Sequence, residues 1–247
     1  LEGGISKMVN DLTLIYYSAN VIPEITAERI RENLLLVTKG QYPIISVTQK
    51  PIDFGKNICV GEIGVSKYNE YKQILTGAKE AKTKYIACVE DDALYAPEHF
   101  TFRPPADTFG YEMNYWFAQL GQDFYWRHSK GKMSGMLGCI VETDTLIKNL
   151  TKRYEMYPTN PWDKDPDLRL QFGEPAYYDE NFGMENKRVM FSSDKPGVMF
   201  IHVTGMGSVQ LVRFRRRYGD PLPENKCYNL EGFGEAKGLI NKYWNGI

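Results

Sequence analysis

The sequence predicts an α/β fold built on a doubly wound, mostly parallel sheet. Three observations predict it. Short apolar runs at 12–17, 44–48 and 85–89 alternate with stretches of helical period, the βαβ pattern of a parallel sheet. The run Tyr85-Ile86-Ala87-Cys88-Val89 is apolar at every position, as strands covered on both faces are. Directly after it stand Glu90, Asp91 and Asp92, at the strand end where open α/β sheets bind ligands.

In chain order, Leu12–Tyr17 is the first strand, ending at Ser18-Ala19-Asn20. Glu24–Lys39 is a helix with Ala27, Ile30, Leu34 and Val37 inward and Gly40 as its stop. Ile44–Thr48 is the second strand, followed by Lys50-Pro51, and Ile58-Cys59-Val60 a brief third closed by Gly61. From Ser66 a helix carries Tyr71, Ile74, Leu75, Ala78 and Ala81 on one stripe. Asn69, Gln73 and Gly77 are spaced by four and share another face. Gly77 costs about 1 kcal/mol relative to Ala there, which anticipates a closely approaching segment.

After Asp92 the texture changes. Arg103-Pro104-Pro105 breaks regular structure, and 109–126 is rich in aromatic residues. Met136–Val141 is another strand, and Thr143–Tyr154 an amphipathic helix capped by Thr143 or Asp144. Residues 157–183 hold little periodicity, and a long irregular stretch in a compact domain is usually functional. Val198–Val203 is a late strand with His202 near its end, and 239–247 a final helix packing Leu239, Ile240 and Tyr243.

The bulk properties narrow the classes. Of 247 residues, 43% are hydrophobic and 25% charged, which is ordinary for a globular protein. A formal net charge of -1 gives no global attraction to nucleic acid or anionic lipid. Cys59, Cys88, Cys139 and Cys227 form no Cys-x-x-Cys pair, which argues against zinc and redox motifs. Three of them lie in apolar runs and read as small buried hydrophobes, and free thiols suit a reducing, cytoplasmic setting. No apolar run is long enough to span a membrane. Leu1–Lys7 reads as an appended remnant ahead of a native Met8, leaving one domain over 8–247.

Three consecutive carboxylates at a buried strand's end repel one another. The bland alternative is a solvated acidic turn; a divalent cation would relieve the repulsion, and such cations take carboxylate oxygens together with substrate phosphates. Helix, strand and acids in this order resemble the nucleotide-sugar-binding half of a GT-A glycosyltransferase, close to the inverting family-two group. The likeness is clearest over residues 12–100 and returns near 200. It implies a Rossmann-like GT-A domain whose 8–100 half binds a nucleotide sugar, a UDP-sugar above all, and whose 101–247 half receives the acceptor. It places Asp92, with His202 on the late strand, as ligands of Mn²⁺ or Mg²⁺. Glu90 stands where the family has its first Asp, and with Asp91 falls on the donor side. Ser18, Lys50, Asn69, Gln73 and Arg213 are further donor contacts, although short polar residues after a strand often only make the turn. The acid that takes the acceptor proton is sought in Asp179 or Glu180, with Glu185 in reserve.

Two other classes stay open: a sugar nucleotidyltransferase, although 18–23 lacks a glycine-rich loop, and a non-catalytic nucleotide-sugar or glycan-binding protein. The acceptor is expected to be a glycan or a modified DNA base, since the chain also resembles glycosyltransferase-like proteins encoded by bacteriophages. Arg213, Arg215, Arg216 and Arg217, with Lys130 and Lys132, would then supply phosphate contacts. Tyr115, Trp116 or Trp126 would supply the stacking surface.

Overall fold

The computed structural model describes residues 11–127, 135–160, 173–202 and 225–244. The first apolar run forms β1 (Leu12–Ser18), buried at all seven positions. It is flanked by β2 (Ile44–Thr48) on one side and β4 (Tyr85–Glu90) on the other, both parallel to it. β3 (Lys56–Cys59) extends the sheet beyond β2, also parallel. Three further strands complete it: β6 (Thr108–Glu112), β9 (Cys139–Glu142) and β10 (Lys187–Phe191). The seven-stranded order is β10-β6-β9-β4-β1-β2-β3, with β9 antiparallel to both its neighbours.

Both faces are covered, which is why these strands read as continuous apolar runs. Ile15 and Tyr17 of β1 point to the face packed by α2 (Lys67–Glu80) and α3 (Thr143–Met156). Leu12, Leu14 and Tyr16 point to the other, against Leu34 of α1 (Glu24–Thr38) and the aromatic segment through Tyr95 and Phe100. The close neighbour anticipated at Gly77 is this sheet. A Cβ there would lie 2.8 Å from Ile15 Cγ2 and 3.0 Å from Val47 Cγ2, so only glycine lets α2 settle onto β1 and β2.

A second sheet was not expected from the sequence. It runs in the order β12-β8-β7-β11-β5, from β5 (Ala93–Leu94), β7 (Tyr115–Gln119), β8 (Tyr125–Trp126), β11 (Gly197–Ile201) and β12 (Lys226–Cys227). Its inner face packs on α1 and on α4 (Ala236–Trp244) through Leu94, Val198, Phe200, Leu239 and Tyr243. A small hairpin of β13 (Asn229–Leu230) and β14 (Gly234–Glu235) precedes α4.

Several local expectations need correction. Met136–Gly138 is a 3-10 turn, and the strand begins only at Cys139. Neither Thr143 nor Asp144 caps α3; the N-cap is Glu142, and Thr143 Oγ1 instead donates to the Thr83 carbonyl at 2.8 Å. Lys39, in the left-handed region at φ 53°, closes α1 together with Gly40. Cys88 and Cys139 are buried, but Cys59 is exposed because β3 is an edge strand.

Candidate active site

β1 and β4 run parallel and in register, Tyr17 opposite Glu90, so Ser18 and the acidic triplet emerge at one edge of the sheet. Short links then fix each carboxylate. The Tyr17 hydroxyl donates to Glu90 Oε1 at 2.6 Å, and the Ser18 hydroxyl donates to Asp91 Oδ2. The Glu90 amide donates to the Tyr95 hydroxyl at 2.8 Å.

Asp92 begins the crossing into the second sheet. Its carbonyl accepts from the Phe200 amide at 2.8 Å, beside the antiparallel pairing of β5 with β11. That pairing brings the end of β11 to the triplet. His202 Nε2 lies 3.3 Å from Asp92 Oδ2, with the imidazole against the Trp244 ring at 5.0 Å. Asp92 is 9% exposed and His202 4%. The two residues assigned to one cation, 110 positions apart in sequence, are therefore neighbours.

The electrostatics of this edge are unfavourable to its charges. Burial, then the Asp92 charge, raises the Glu90 carboxyl to about 8. The same two causes raise Asp91 to about 7. Burial raises Asp92 to about 7, and burial holds the His202 imidazole below its usual value. Asp92 Oδ1 is buried with no hydrogen-bond partner. An unsatisfied carboxylate oxygen among mutually repelling acids fits a cation ligand, because a divalent ion would remove both costs. Among the described residues no group of three or more His, Cys, Asp or Glu is arranged to hold a metal ion. The protein's share of such a site would be the Asp92–His202 pair, the remaining positions falling to donor phosphate and water.

The other expected donor contacts are mostly engaged in building the edge. Gln73 is buried, and its amide donates to the Ser18 and Val47 carbonyls at 2.8 Å each, tying the ends of β1 and β2. The Asn69 amide donates to the Ile63 and Gly64 carbonyls, shaping the loop before α2. Asn20, left-handed at φ 54°, accepts from the Gln49 and Lys50 amides at 2.9 Å, and Lys50 is exposed beside it. These residues form the floor and rim of the edge. Arg213, Arg215, Arg216, Arg217, Lys130 and Lys132 lie outside the described residues.

Asp179 does not join the triplet. It is 4% exposed, with Oδ1 2.6 Å from Arg153 Nη2 and Oδ2 2.8 Å from Asn149 Nδ2. Arg153 is fully buried and also donates to the Gly173 carbonyl at 2.9 Å. Asp179 thus anchors a loop, whereas Glu180 and Glu185 are exposed. Of the expected stacking rings, Tyr115 and Trp126 are buried, and Trp116 is half-buried beneath the Arg127 guanidinium at 4.6 Å.

The sequence reading missed a second acidic group at this edge. Lys67 and Glu70 stand in the first turn of α2, 3.0 Å apart, and Lys67 Nζ lies 3.6 Å from Glu174 Oε1. Burial raises the Glu70 carboxyl to about 8. The signal available was topological: a helix following a parallel strand starts at the sheet's ligand edge, so its first turn faces the site.

No family model and no curated protein matches this chain. Solved structures do resemble it. A glycosyltransferase involved in the glycosylation of the major capsid of PBCV-1 superposes with a TM-score of 0.47 at 10% identity, covering 83% of this chain and 98% of that one. The inositol-1-phosphate CTP transferase from T. maritima gives 0.43 at 8% identity, covering 85% and 98%. S. aureus TarS 1-349 in complex with UDP-GlcNAc gives 0.41 at 12% identity; 80% of this chain is covered, but it spans only 60% of that neighbour. All these TM-scores lie below 0.5, so function is read from the acidic edge itself. No helix among the described residues is long and apolar enough to cross a membrane.

Proposed function

We propose that this protein is a metal-dependent glycosyltransferase that moves a sugar from a nucleotide-sugar donor to a hydroxyl acceptor. One observation carries the reading: Asp92, buried at the ligand edge of a parallel sheet with one oxygen unpartnered and the other 3.3 Å from His202. Mn²⁺ or Mg²⁺ held by Asp92 and His202 would act as a Lewis acid toward the charge developing on the leaving diphosphate. Glu90 and Asp91, fixed by Tyr17 and Ser18, would hydrogen-bond the donor's sugar or nucleoside hydroxyls. Gln73 and Asn20 would keep the strand ends from which these groups project rigid, so that little reorganisation accompanies donor binding. The acceptor is a glycan or a modified DNA base.

A thermal-shift screen of nucleotide sugars with and without Mn²⁺ tests this reading. A cognate donor at 100 times its dissociation constant stabilises by about 2.7 kcal/mol. The expected result is a rise in melting temperature that needs both the nucleotide and the ion. Identical shifts with and without the ion would refute the metal-dependent reading.

A further inference from the structure

Resting on the transferase reading, we propose that Trp244, on the last helix, is a positioning residue of the candidate site: its indole holds the His202 imidazole in the plane that turns Nε2 toward Asp92. His202 stands one residue beyond the end of β11. The second torsion of a histidine is broad and roughly two-fold, so the strand end alone does not set the plane of the ring. A flat neighbour does. The Trp244 ring lies 5.0 Å from the imidazole with 30° between the planes, and 6.0 Å from the Phe200 ring at 62°. Positions 200 and 202 are two apart and project to the same side of the extended chain, so one indole meets both. Trp244 is 8% exposed, and its Nε1 is buried with no acceptor. A hydrogen bond therefore does not account for this indole; what it contributes is the face of its ring.

The placement of that face is itself built. The last turn of a helix leaves backbone carbonyls without partners inside the helix, and an untied chain end frays. Here α1 takes two of the carbonyls that precede Trp244. The buried Thr26 hydroxyl donates to the Tyr243 carbonyl at 2.9 Å. Arg29 Nη1 donates to the Lys242 carbonyl at 2.9 Å. The Tyr243 ring adds a contact with Phe200 at 5.5 Å. The end of α4 is thus tied to the first helix and to β11 together. A continuous set of contacts runs from Thr26 through α4 to His202, whose Nε2 lies 3.3 Å from Asp92 Oδ2. Groups that orient a metal ligand in this way govern affinity for the ion without touching it. Two helices that carry none of the acids thereby reach the site.

The test is a double-mutant cycle, read by calorimetry of UDP with Mn²⁺ in wild type and in His202→Ala. A residue that acts through His202 loses its effect once the imidazole is gone, whereas one that only stabilises the fold keeps it. Trp244→Ala should weaken affinity about fivefold in the wild type and less than about twofold in His202→Ala. Trp244→Phe keeps a ring face and should stay within about twofold of wild type. Thr26→Val keeps the side chain's size and removes the tie on α4; it should cost about threefold, again only where His202 is present. That variant carries the test should Trp244→Ala fail to fold. Equal losses in the two backgrounds overturn the proposal and leave Trp244 a packing residue of α4. Unchanged affinity in Trp244→Ala, or a loss in Trp244→Phe as large as in Trp244→Ala, overturns it as well. Each of these outcomes leaves the transferase reading standing. Failure of the wild-type protein to bind UDP with Mn²⁺ removes that reading, and the Trp244 role with it.

Discussion

Asp92 and Asp179 are both aspartates with little exposure, 9% and 4%, yet they sit in opposite kinds of environment. Asp179 has a guanidinium on one oxygen and an amide on the other, and its surroundings meet its charge in full. Asp92 has other acids as neighbours, an imidazole that burial keeps from charging, and one oxygen with no partner. A buried carboxylate that is fully paired is an element of structure. One that is buried, unpaired and crowded costs stability, and that cost is borne where a ligand offsets it. The same residue type thus serves to hold a loop in one region and, on our reading, to hold a cation in the other.

The largest expected effect breaks this comparison at its stable end. Asp179→Asn leaves Arg153 as a buried cation without its counter-charge, and should destabilise the fold by about 3–5 kcal/mol in denaturant titrations. The same substitution at Asp92 should act in the opposite direction. Asp92→Asn removes one repelling charge and should stabilise the metal-free protein at pH 8.5 by about 2 kcal/mol. If both variants lose stability equally, the distinction between the two regions fails.

The pH dependence sharpens the same contrast. Glu70 and Glu90 titrate at about 8 in the fold, and Asp91 and Asp92 at about 7, all above their unfolded values near ~4. Between the two values the folded state binds more protons than the unfolded chain. The stability linked to these protons is complete below about pH 4 and is lost as pH rises through the folded values. The melting temperature of the metal-free protein should therefore fall from pH 7 to pH 8.5, and less steeply in Asp92→Asn. A flat or rising profile over that range would show that these acids are already compensated.

The elements around this contrast were legible to different degrees. β1, α1, β2, α2 and β4 could be read closely because each has a clean period and a sharp stop. The acids of the ligand edge were legible for the same reason, since they follow the most apolar strand in the chain. His202 was legible only through family likeness, because its meeting with Asp92 depends on the antiparallel pairing of two short strands far apart in sequence. Of the second sheet only the late strand, β11, could be read, because the others are short or lie in an aromatic stretch without clean alternation. The Arg153–Asp179 clamp and the Lys67–Glu174 contact left no periodic trace, since each is a single long-range contact between residues that look like ordinary surface charges in sequence. Asn69 and Gln73 illustrate the converse: their polar face is spent on backbone carbonyls that only the folded loop brings to them.

His202→Ala should produce the smallest of these effects. Asp92 and the donor diphosphate would still hold the ion, so affinity for UDP in the presence of Mn²⁺ should weaken only about tenfold by calorimetry. A loss as large as that of Asp92→Asn would mean that the imidazole is the principal ligand.

The most direct measurement is calorimetric titration of UDP into wild type and Asp92→Asn, each with and without Mn²⁺. The account predicts binding in the wild type that requires Mn²⁺, and none in Asp92→Asn although that variant is folded and more stable. Equal Mn²⁺-dependent affinity in the two proteins would contradict it.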